Sequence, residues 1–191
     1  GLVSCQGQVG TPSQEADYAW VAPALGESAQ GKALGFPVTA SYTEDEYGTR
    51  WYDYQLTLPD GRSALLDYAE TPLIPLDLDG DGTPELVAGD GNYLQVYCRW
   101  GDGSLRKLDL RRTALEHMGL APEHYGMYYN LILELQPEVV TVSIRPAGED
   151  RELAELSLSQ LFSETRQGEI LLSVPGEDGE LTWFESWNPS D

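Results

Sequence analysis

The sequence predicts a mainly β protein, an antiparallel meander of about nine or ten strands with one or two short helices. Three observations predict it. From Gly35 onward, short runs alternate apolar and polar side chains, the period of a strand with one covered face. Pro, Gly, Asn and Asp, the residues that tight turns require, separate these runs. Only two stretches carry helical spacing, and both are short.

Five hairpins can be read in order. WYDYQLTL places Tyr52, Tyr54, Leu56 and Leu58 on one face. It ends at Pro59-Asp60-Gly61-Arg62, where Pro takes its usual turn position, and returns as SALLDYAE. ELVAG and YLQVYCRW flank Asp90-Gly91-Asn92, and YLQVYCRW meets LRKLDL across Gly101-Asp102-Gly103-Ser104. LILEL and VVTVSIR are parted by Gln136-Pro137-Glu138, and EILLSV and ELTWFESW by Pro175-Gly176-Glu177-Asp178-Gly179. The helical stretches run from about Arg112 to Gly119, with Gly119 as C-terminal cap, and from about Ser159 to Gln167. Residues 1–31 read as a tether rich in Gly, Gln, Ser and Pro, leaving one β-rich domain over 32–191. No repeat of fixed period is evident.

A chain of 191 residues buries roughly 70% of its unfolded surface, so it needs no metal or disulfide merely to have a core. Eleven Lys and Arg face 32 Asp and Glu, a net charge of −21. Such a surface repels phosphate backbones and anionic headgroups, which argues against nucleic acid and against electrostatic docking on membranes. No apolar run is long enough for a transmembrane helix. Leu2-Val3-Ser4-Cys5 resembles the end of a bacterial lipoprotein signal, which would make Cys5 a lipid anchor at the cell surface. The second cysteine, Cys98, falls on the apolar face of YLQVYCRW with Leu94, Val96 and Trp100, opposite Gln95, Tyr97 and Arg99. A buried thiol is expected there, with a Cys5–Cys98 disulfide as the alternative.

One motif carries chemistry. Asp77-x-Asp79-x-Asp81-Gly82-x-x-Glu85 sets carboxylates at alternate positions of a tight loop, and Gly82 permits the left-handed turn that brings them round one centre. Unneutralised, such carboxylates repel and shift one another's protonation, so the spacing suits a hard cation with oxygen ligands, above all calcium.

Between Pro75 and Leu105 the loop and the strand after it resemble the calcium loops of FG-GAP and VCBS-type repeats, the integrin-like propeller family. The resemblance implies a structural calcium ion held by Asp77, Asp79, Asp81, the backbone carbonyl of Thr83, and Glu85. An EF-hand begins alike but needs an acid at position twelve, where this chain has Ala88, and a flanking helix. Propellers need at least four blades, and a single such loop in a chain of this length points instead to a sandwich or a partial, propeller-like meander.

Other residues are weaker candidates. His117 and His124, each beside a glutamate, fit no zinc spacing and read as exposed or capping residues. Aromatic groups at Trp51, Tyr52 and Tyr54, at Tyr125, Tyr128 and Tyr129, and at Trp183, Phe184 and Trp187 belong to the core or to a stacking surface. No nucleophile elbow, zincin motif or phosphate loop is present. The expected function is a calcium-stabilised, secreted or cell-surface module that binds a protein or a glycan. The alternative is an extracellular hydrolase, or an accessory domain of an enzyme that degrades polysaccharide or protein.

Overall fold

The computed structural model describes residues 22–66, 70–91, 93–99, 105–120, 131–166, 171–175 and 181–185. Sheet one joins β1 (Ser28–Ala33), β2 (Phe36–Glu44), β3 (Arg50–Thr57) and β4 (Ser63–Leu65) in sequence order. The central sheet contains β5 (Ile74–Leu76), β6 (Glu85–Asp90), β7 (Tyr93–Arg99), β8 (Leu105–Asp109), β12 (Leu171–Pro175) and β13 (Leu181–Glu185), in the order β13-β12-β8-β7-β6-β5. Sheet three is β9 (Leu131–Gln136), β10 (Thr141–Pro146) and β11 (Ala154–Ser157), ordered β11-β10-β9. Every pairing among the described strands is antiparallel.

The two helices are α1 (Leu110–His117) and α2 (Leu158–Thr165). Asp109 caps α1 by accepting from the Arg111 N–H, and Ser157 caps α2 by accepting from the Gln160 N–H. Gly119, at φ 73°, closes α1 as its sequence position predicts.

The mainly β antiparallel class with two short helices therefore stands, and all five predicted hairpins form. Two boundaries differ. Thirteen strands are described: beyond those of the five hairpins the chain forms β1, β2, β5 and β11, and β5 and β11 are only three or four residues long, too short to show an alternation. The ordered sheet also begins inside the expected tether: β1 has the sequence SAQGKA, without a β-branched or aromatic residue to announce it.

The layers follow from burial. Val87, Leu94, Val96, Cys98 and Leu108 project from one face of the central sheet into a core completed by α1, α2 and sheet three. Leu86, Tyr97 and Leu105 project from the other face into a second core, closed by Phe36, Val38, Tyr54 and Leu56 of sheet one. Tyr97 is only 3% exposed, so the face of β7 opposite Leu94, Val96 and Cys98 is covered at Tyr97, while Arg99 at its end stays exposed. Covering on both faces explains why Leu86, Val87 and Ala88 form a continuous apolar run. The Tyr54 hydroxyl, inside the second core, accepts a hydrogen bond from the Leu73 N–H at 3.0 Å.

Candidate metal centre

The acidic loop joins β5 to β6 and leaves the central sheet beside the first core. Each carboxylate first organises the backbone. Asp77 Oδ1 accepts from the Gly80 N–H at 3.0 Å, and its Oδ2 accepts from the Gly82 N–H at 2.9 Å. Asp79 accepts from the Asp81 N–H at 3.2 Å, and Asp81 from the Thr83 N–H at 2.8 Å. These are side-chain turns in which each Asp bends the chain just after it. Gly80 and Gly82 complete the bend at φ 75° and 87°.

Glu85 closes the site from the first residue of β6. It is only 5% exposed, and its Oε2 accepts from the Leu78 N–H at 2.7 Å. Leu78 belongs to the first core, so one hydrogen bond fastens the loop to that core. At the exit, the Leu34 N–H donates to the Pro84 carbonyl at 3.4 Å, and Leu34 belongs to the second core. The loop is therefore tied to both layers.

One carboxylate oxygen from each of Asp77, Asp79, Asp81 and Glu85 lies within 4.8 Å of the other three, and the group could hold a metal ion. The electrostatics agree with the crowding. Burial, together with the charges of Asp79 and Asp81, pushes Glu85 up to about 8. Asp79 is held above the usual carboxylate range, first by burial and then by Asp81 beside it. Of the five positions taken from the sequence, four carboxylates converge. Thr83 lies in the same loop, where its N–H serves Asp81.

Sequence reasoning missed Arg166. Its Nη1 lies 3.5 Å from Asp79 Oδ2, and its guanidinium stands 5.2 Å from the centre of the Phe162 ring. No local pattern joins residues so far apart in the chain. Cys98 is a buried free thiol on the neighbouring strand, pushed up to about 12 by burial and next by the charge of Glu85.

The remaining candidates fall elsewhere. His117 Nε2 pairs with Glu164 Oε2 at 2.6 Å, tying α1 to α2 at the surface. Tyr52 stacks on Tyr42 with ring centres 4.1 Å apart, at the margin of the second core. Cys5, His124, Tyr125, Tyr128, Tyr129 and Trp187, the Asp102-Gly103 and Asp178-Gly179 turns, and the side chains of Trp183 and Phe184 lie outside the described residues. In comparisons with known proteins, no family model, curated protein or solved structure matches the chain.

Proposed function

We propose that the protein is a calcium-stabilised binding or structural module of the extracellular space or the cell surface, in which the Asp77–Glu85 loop holds the ion. The observation that carries this reading is the convergence of four carboxylate oxygens within 4.8 Å, one of them from the buried Glu85. An all-oxygen, strongly anionic donor set on a bending loop suits a hard divalent cation. The loop also stands in the strand–loop–strand setting that its FG-GAP and VCBS resemblance implies, since it connects the paired strands β5 and β6. The role of the ion is structural: it neutralises carboxylates at the point where both cores are fastened. Extracellular calcium would keep such a site filled, and the net charge of −21 keeps the module soluble there.

Thermal unfolding with excess calcium and with a chelator tests the reading. Calcium at about one hundred times its dissociation constant adds about 2.7 kcal/mol to the folded state. That amounts to several degrees for a domain of this size. A shift with calcium that magnesium does not reproduce supports the site. Identical unfolding in calcium and in chelator would reduce the loop to an acidic turn.

A further inference from the structure

Among the described residues, Arg111 alone carries buried side-chain nitrogens with no hydrogen-bond partner, its Nε and Nη2. The residue is 8% exposed and shares the buried face of α1 with Leu110, Ala114 and Leu115. Nε and Nη2 form the side-on edge of the guanidinium, which takes a carboxylate through two parallel N–H···O bonds. A guanidinium stays charged, so it cannot lessen the cost of burial by losing its proton. A buried charge left unpaired is strongly destabilising.

The start of α1 gathers positive charge around this edge. Arg111 and Arg112 hold the second and third positions of the helix, where its dipole disfavours cations, and the first turn contains no acid. The chain has eleven basic residues against 32 acidic ones, which makes the placement more unusual. Asp109 is the nearby anion, but its carboxylate is engaged by the backbone N–H groups of Arg111 and Arg112 and leaves the guanidinium edge unbonded. Burial holds Asp109 above the usual carboxylate range, against the pull of those two N–H groups and of both arginine charges. The register sets this point apart from the metal loop: Asp109 pairs with Gln95, and Gln95 with Ala88, three residues along β6 from Glu85.

We propose that Arg111 binds a small carboxylate ion, held side-on by Nε and Nη2 at the start of α1. The inference stands apart from the metal reading. Two coplanar oxygens match the edge, and the positive end of the helix dipole adds to the attraction. A single negative charge suits the setting best, because the net charge of −21 repels an approaching anion in proportion to its own charge. Burial of both nitrogens excludes a polymer, since only an ion of a few atoms can be enclosed there.

Thermal unfolding of the full chain in sodium formate, acetate, phosphate or chloride, at one pH and one ionic strength, tests this. Formate or acetate should raise the midpoint above its value in chloride, and the rise should level off with concentration as a site fills. Phosphate should act more weakly. Arg111→Met removes the charge and keeps the apolar stem. In chloride its midpoint should be no lower than that of the natural protein, and the saturable response to formate and acetate should be lost. Arg111→Lys keeps the charge without the side-on edge and should lose most of that response. The proposal is overturned if formate and acetate act no differently from chloride, if phosphate outdoes both, or if Arg111→Met keeps the response. A large drop in the Arg111→Met midpoint in chloride would also overturn it, by showing that Arg111 is already paired within the fold.

Discussion

Arg166 Nη1 lies 3.5 Å from Asp79 Oδ2, so the end of α2 supplies a positive charge to the middle of the acidic loop. The guanidinium partly neutralises the carboxylates whenever no metal does so, and its stacking on Phe162 holds it there. Arg166→Gln should therefore lower the unfolding midpoint more in chelator than in saturating calcium. The pair is partly exposed, so the difference should be about 0.5–1 kcal/mol. Equal losses in both conditions would mean that Arg166 does not act through the charge of the loop.

Glu85→Gln separates a metal site from an acidic turn. The amide keeps an acceptor for the Leu78 N–H and replaces a carboxyl whose ionisation burial and the charges of Asp79 and Asp81 oppose. In chelator the variant should be as stable as the natural protein or more so, while the calcium increment should fall by more than half. The pH response follows from a folded-state carboxyl raised from 4.5 to about 8. Folded protein then holds the proton more tightly than unfolded chain. Its contribution to stability is full below 4.5 and is lost as pH rises through about 8. The metal-free protein should lose up to about 1.4 kcal/mol per pH unit across that window. Unfolding midpoints measured in chelator across the window check this, and Glu85→Gln should flatten the slope.

Local chemistry announced the hairpins and helix ends, because turns and caps are set by neighbouring residues. The Leu58 N–H donates to the Arg62 carbonyl at 2.8 Å across the turn that Pro59 and Gly61 predict. The three Asp side chains of the metal loop were legible for the same reason: their backbone partners lie two to five residues away. What stayed hidden depends on distant chain. Tyr97 is buried only because sheet one covers its face, and β12 pairs with β8 only after sheet three has been completed between them. Arg166 reaches Asp79 through the placement of α2, which no alternation in the sequence encodes.

The β1–β2 turn was equally silent, and it is strained. Ala33 pairs with Phe36 across a two-residue turn in which Leu34 and Gly35 adopt φ 58° and 82°. Such turns favour Asn or Gly at the first position, yet here Leu34 is 1% exposed. Burial in the second core offsets the backbone cost. At Gly35 a Cβ would stand 2.5 Å from Arg99 Nη1, whose guanidinium covers the Phe36 ring at 4.6 Å. Gly35→Ala should cost about 1–2 kcal/mol from the left-handed backbone, with a further loss as Arg99 moves off Phe36. Gly35→Asn should cost less, since Asn tolerates this conformation. Urea unfolding of the two variants gives the comparison, and equal midpoints would remove the backbone argument.

Cys98 offers a reporter for the first core. Its thiol is 2% exposed and is pushed up to about 12 by burial, so at neutral pH it is neither ionised nor accessible. In a Cys5→Ser background, a thiol reagent should leave Cys98 unmodified in the native protein and label it fully in denaturant. Because Cys98 lies on the strand beside Glu85, its labelling rate in dilute denaturant should follow opening of the layer to which the metal loop is fastened. Calcium should slow that rate about tenfold for each 1.4 kcal/mol of stability it adds, provided that reclosing is faster than labelling. Fast labelling of the native protein would show that the first core opens independently of global unfolding. Slow labelling unaffected by calcium would show that the loop does not govern that layer.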